Sequence, residues 1–186
     1  MLQKQNDILD FYAAEKPEKV TQLAILIHGY GASGSDLINI APHFSKVKNT
    51  QFVAPCAPFQ SHFGPDSHQW FPLETYEEEY LLKGMNKAIP YLEKFIAKQQ
   101  KIHKLSNAET ILIGFSQGTM LAIHFGIREK NPIKTIIGFS GGSLANRIAI
   151  ELKSKPAICL IHGEDDYVLP PHYSTETAQA LKKNDV

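Results

Sequence analysis

Five short apolar runs punctuate the chain: Leu23–Ile27, Gln51–Ala54, Thr110–Gly114, Thr135–Gly138 and Ala157–Ile161. Each is continuous rather than alternating, and β-branched residues are frequent in them. A strand covered by helices on both faces reads this way, whereas a half-solvated strand alternates apolar with polar positions. Between the runs, helical patterns extend over Ser35–Phe44, Glu77–Gln99, Gln117–Glu129, Leu144–Leu152 and Ser174–Lys182. Strands alternating with helices predict an α/β class of fold, a mostly parallel sheet with helices on both faces. Ligands of such sheets bind at the carboxyl ends of the strands, so chemistry is expected there. The segment Pro55–Pro72 has no clear period and holds Phe59, His62, Phe63, His68, Trp70 and Phe71. Loops of this length are often functional, and this one reads equally as a wall of a binding site or as an aromatic-stapled surface loop.

Composition narrows the picture. A chain of 186 residues, 43% of them hydrophobic, supports a single domain with a core of its own. With 19 basic against 19 acidic side chains there is no positive excess to hold nucleic-acid phosphates or an anionic membrane surface. The two cysteines, Cys56 and Cys159, lie in apolar stretches and read as small buried hydrophobes rather than a disulfide. The first ten residues are polar and carry two acids, unlike a signal peptide, and the Leu23–Ile27 run is too short to cross a bilayer. A soluble, reduced, cytoplasmic protein is the expectation.

The chemistry gathers at strand ends. Gly114-Phe-Ser-Gln-Gly118 matches G-x-S-x-G, in which a serine sits on a strained turn between a strand and a helix. The motif ends an apolar run and opens a helical pattern, so Ser116 would be exposed with helix amides beside it. Gly138-Phe-Ser-Gly-Gly142 fits the same pattern, but a further glycine and Ser143 follow, so no helix can start tightly behind Ser140. Ser140 reads as a turn residue near the pocket. The strand Ala157–Ile161 runs into His162-Gly-Glu-Asp-Asp166, a loop whose carboxylates could orient a catalytic imidazole or simply form a solvated acidic turn. After the first strong strand, His28-Gly-Tyr-Gly31 can offer a backbone amide to an oxyanion. It has neither the lysine of a P-loop nor a G-x-G-x-x-G.

Together with Ala54-Pro55, Trp70-Phe71 and His162 through Pro170, these motifs resemble the phospholipase/carboxylesterase family, which includes the acyl-protein thioesterases, within the α/β-hydrolase superfamily. The resemblance implies one α/β-hydrolase domain over residues 1–186, incomplete at its C-terminus. It implies cofactor-free, metal-free hydrolysis of small carboxylic esters or thioesters through an acyl-enzyme. By position, Ser116 would be the nucleophile and Asp166 the triad acid, with the backbone amides of Tyr30 and Gln117 as the oxyanion hole. Trp70 and Phe71 would stand at the substrate pocket. Two departures stand out. Pro72-Leu73 follows Trp70-Phe71 where the family commonly has an aspartate, and the family's catalytic histidine lies one strand beyond the point where this chain stops, Val186. His172, His28 and His162 are the candidate replacements, although the last two resemble loop-holding residues of the family. A non-catalytic, acyl-binding remnant of an esterase is the alternative. Without a further strand beside it, Ala157–Ile161 would be an open sheet edge through which two copies could pair.

Overall fold

The structure is a computed structural model that describes residues 2–3, 9–44 and 46–186. The polar stretch read at the N-terminus lies largely outside those residues. In chain order the strands are β1 (Leu2–Gln3), β2 (Phe11–Ala13), β3 (Gln22–Ile27), β4 (Thr50–Pro55), β5 (Phe59–Gln60), β6 (His68–Gln69), β7 (Thr110–Phe115), β8 (Thr135–Phe139) and β9 (Ala157–Ile161). The helices are α1 (Gly34–Ile38), α2 (Glu78–His103), α3 (Gln117–Gly126), α4 (Ala145–Glu151) and α5 (His172–Lys183).

Seven strands form one sheet in the order β1-β2-β4-β3-β7-β8-β9. The five apolar runs are its parallel part, and the antiparallel β1 and β2 extend one edge. β3 and β7 sit centrally, and their register sets Ile27 opposite Gly114. The chain segments that leave these two strand ends, His28 onward and Phe115 onward, therefore emerge side by side.

One face of the sheet packs on α2, α3, α4 and α5, burying Leu23, Ile25, Leu112 and Ile136 among Leu92, Phe95, Leu121 and Ile148. The amphipathic α2 turns Leu81, Met85, Ala88, Leu92, Phe95 and Ile96 toward this core, while α3 is buried all round. The opposite face holds a smaller cluster, with Ala24, Leu26, Phe52 and Ile113 beneath α1 and the 3₁₀ turn Ala41–Phe44. Ser35–Phe44, expected as one helix, is split here. Pro42 lacks the N–H and crowds the preceding turn, so the chain tightens into the 3₁₀ turn. Along β9, Ala157, Cys159 and Ile161 are exposed on this second face. Cys159 is thus not the buried hydrophobe expected, whereas Cys56 is buried, and both thiols are free.

Candidate active site

Ser116 ends β7 and immediately precedes α3, with φ 51 and ψ −113. A non-glycine residue in this region is strained by about 1–3 kcal/mol and persists only where its surroundings over-determine it. Here the Ser116 amide donates to the Phe139 carbonyl at 2.8 Å, and the amide of Thr119 donates back to the Ser116 carbonyl at 2.9 Å. The glycines of the motif let the turn close. A Cβ on Gly114 would meet the Gly118 carbonyl carbon at 2.6 Å, and one on Gly118 would strike the end of β3. The start of α3 is therefore pressed directly against the segment leaving β3.

A cavity of about 530 Å³ opens at Ser116, walled by Gly29, Tyr30, Phe63, Met120, Ser140 and Asp166 among others. A smaller one of about 210 Å³ adjoins it, sharing Tyr76, Met120 and Leu169 as walls. The structure thus brings Ser116, Gln117, Tyr30 and Asp166 to one cavity. Among the described residues neither the Tyr30 nor the Gln117 backbone amide donates a hydrogen bond. Ser140, read as a turn residue near the pocket, also lines the cavity and is itself left-handed at φ 44.

Asp166 is held by its own loop. Its Oδ1 accepts the Leu169 amide at 2.9 Å and the Val168 amide at 3.0 Å, and its Oδ2 lies 3.3 Å from His162 Nε2. The Leu169 amide leads the causes that hold this carboxyl below its ordinary range, partial burial working against it. Glu164 and Asp165, the other acids of the loop, are exposed and outside the cavity lining.

Trp70 and Phe71, expected at the substrate pocket, are a correction: both are fully buried, and neither lines the cavity. The indole N–H donates to the His28 carbonyl at 3.0 Å, and that demand for a buried acceptor turns the ring inward. The long segment between β4 and α2 instead offers Phe63 to the cavity wall, so it serves both as a wall and as a core staple.

Among the described residues no histidine lines the cavity. His28 accepts the Ala57 amide at Nε2 (2.9 Å) and donates from Nδ1 to the Gly29 carbonyl (2.7 Å), so both ring nitrogens are engaged. Burial pulls it down to about 4. His162 faces Ser174 Oγ at 2.5 Å and the Leu169 carbonyl at 2.8 Å, a loop-holding arrangement. His172 is exposed at the start of α5, stacked on Tyr173.

A mostly parallel sheet, a strained serine between a central strand and a buried helix, and an acid after a later strand define the α/β-hydrolase class. Comparison with known proteins agrees. The chain belongs to the phospholipase/carboxylesterase family, whose profile matches residues 10–185. It is 24% identical over 173 residues to esterase YpfH of Escherichia coli (92% of this chain, 74% of that protein). It is 26% identical over 188 residues to acyl-protein thioesterase 1 of Mycosarcoma maydis (88% of this chain, 77% of that protein). Among solved structures, esterase PE8 superposes with a TM-score of 0.88 at 36% identity, over 96% of this chain and 85% of that one.

Proposed function

We propose that this protein is a serine hydrolase that cleaves carboxylic esters or thioesters through an acyl-enzyme on Ser116. The observation that carries the reading is the strained Ser116, set at a strand-to-helix turn and facing the cavity that Asp166 also lines. In this reading Ser116 Oγ bonds to the substrate carbonyl carbon while its proton passes to a base. The charge that develops on the carbonyl oxygen is taken up by the two undonated amides of Tyr30 and Gln117. The C–O or C–S bond then breaks, the leaving group takes a proton, and water releases the acid. Asp166, kept ionised by the amides of its loop, supplies the charge that orients an imidazole. The apolar walls around Met120 and Leu169 suit a small acyl group. No helix among the described residues is long and apolar enough to cross a membrane.

A second reading is favoured by the absence of an imidazole from the cavity lining: an acyl-binding relative that does not turn over unaided. Hydrolysis of p-nitrophenyl acetate by the protein and by Ser116→Ala, each with and without added imidazole, separates the two. The proposal expects the variant to be slower by at least about tenfold. Ser116-dependent turnover that needs added imidazole selects the second reading. Equal rates throughout defeat the hydrolase reading and leave a non-catalytic, acyl-binding relative.

We also propose that β9 pairs with a second copy, since it is bonded only to β8 among the described residues and presents Ile161, 47% exposed, beside it. Light scattering should then show a dimer that Cys159→Lys, a charge on that strand, returns to monomer. A monomer at all concentrations contradicts it.

A further inference from the structure

The two amides assigned to the oxyanion come from different segments, and past Ile27 and Gly114 no sheet pairing holds those segments together. What spans them is the stretch Ser67–Phe71. The Gly31 amide donates to the His68 carbonyl at 2.9 Å, the His68 amide to the Ala32 carbonyl at 2.9 Å, and Ser67 Oγ to the Gly31 carbonyl at 2.7 Å. On the other side, the Trp70 amide donates to Gln117 Oε1 at 2.9 Å, and Gln117 Nε2 donates to the Phe71 carbonyl at 2.7 Å. Trp70 joins both sides, because its indole N–H also holds the His28 carbonyl. Trp70 is fully buried and Gln117 is 1% exposed, so water cannot replace these bonds without opening the core.

We infer that the Gln117 carboxamide and Trp70 are positioning residues that set the spacing of the Tyr30 and Gln117 backbone amides. The inference rests on the reading of Ser116 as nucleophile. The Gln117 side chain never meets the substrate in this role. It fixes the first residue of α3 to Trp70 and Phe71, and the same stretch fixes the loop that carries Tyr30. Oxyanion donors act only when both lie within hydrogen-bond reach of one oxygen, and a displacement of about 1 Å costs roughly 10²-fold in rate. Every substitution at Gln117 except proline keeps the backbone amide, so a loss of rate there reads its placement rather than its presence.

The test compares Gln117→Leu, Gln117→Glu and Trp70→Phe with the unmodified protein, subtracting the Ser116→Ala rate on p-nitrophenyl acetate. Gln117→Leu removes both clamp bonds, and kcat should fall roughly ten- to hundredfold with KM within about twofold. Gln117→Glu, protonated at this buried position, can accept from the Trp70 amide and donate to the Phe71 carbonyl, and should fall less. Trp70→Phe keeps an aromatic ring but loses the indole bond, and should also lower kcat selectively. Unchanged kcat in Gln117→Leu overturns the inference, as does a loss shared equally by KM. The only tryptophan supplies a readout independent of turnover: its indole N–H bonds the His28 carbonyl, whereas the Gln117 side chain bonds Trp70 and Phe71. Hydrogen exchange at that indole should accelerate at least about tenfold in Gln117→Leu while the amides of Ile25 and Leu112 keep their protection. Unchanged indole exchange overturns the coupling. If the unmodified protein turns over no faster than Ser116→Ala, the functional reading fails and the exchange experiment alone decides the coupling.

Discussion

Gly118→Ala should lower the stability of the fold to urea by about 3 kcal/mol or more. A Cβ at this position lands on the carbonyl oxygen of Ile27, with the carbonyl carbon at 2.6 Å and the His28 carbonyl oxygen at 2.8 Å. These are backbone atoms at the buried end of a central strand, so no rotamer change relieves the contact. Relief requires α3 to move away from β3, which would also separate the Tyr30 and Gln117 amides. Overpacking of a rigid core costs about 1–3 kcal/mol and more where backbone must shift. A cost of about 3 kcal/mol or more is a large share of the 5–15 kcal/mol typical of a domain. Gly163→Ala is the matched control, since a Cβ there meets nothing within 4 Å. Its stability to urea should lie within about 0.5 kcal/mol of the unmodified protein. Equal urea midpoints for the two variants would contradict the close packing of α3 on β3.

Acid should destabilise the fold well before its carboxylates are titrated. Burial lowers His28 from 6.5 to about 4, with His68 opposing its charge and Asp36 favouring it. His124 is likewise lowered to about 4, by burial and then by the Arg128 guanidinium, with Glu151 opposing and Arg147 adding to the effect. A histidine whose folded value is depressed contributes stability that is fully present above its unfolded value. That contribution is lost as pH falls from 6.5 toward about 4, because the unfolded chain takes up the proton first. For each group the loss between neutral pH and pH about 4 is on the order of 3 kcal/mol. Asp166 adds a later loss: its depressed carboxyl stabilises above the ordinary carboxylate range, and that part vanishes as pH falls through its lower folded value. Urea unfolding across this range should show a steep decline that His124→Asn, which is remote from the cavity, makes shallower. A flat profile above the carboxylate range would show that neither imidazole is held neutral by burial.

Much of this architecture is legible in the residues because the physics is local. The five parallel strands are continuous apolar runs, as a doubly covered sheet requires, although β9 leaves one of its faces exposed, and the serine turn announces itself by its two glycines. Phe11–Ala13 is too short to show a period, and its place in the sheet depends on antiparallel pairing with β4 far along the chain. The split of Ser35–Phe44 was readable at Pro42. Trp70 and Phe71 mark the limit more sharply. An aromatic pair in a long loop looks the same whether it faces a ligand or the core, and only the His28 carbonyl decides it. The Gln117 carboxamide is similar: the motif assigns a backbone amide to that position and is silent about a side chain that reaches back to another loop. Its one signal was the choice of a long amide, able to donate and accept, at a fully buried position.

The central claim is that Ser116 takes the acyl group. The most direct test is to mix the protein with excess p-nitrophenyl acetate, quench in acid, and map the acetylated peptide by mass spectrometry. This reads bond formation whether or not deacylation follows. The account predicts an acetyl group on Ser116, at a stoichiometry approaching one and absent from Ser116→Ala. An acetyl group scattered over lysines, with Ser116 unmodified, would contradict it.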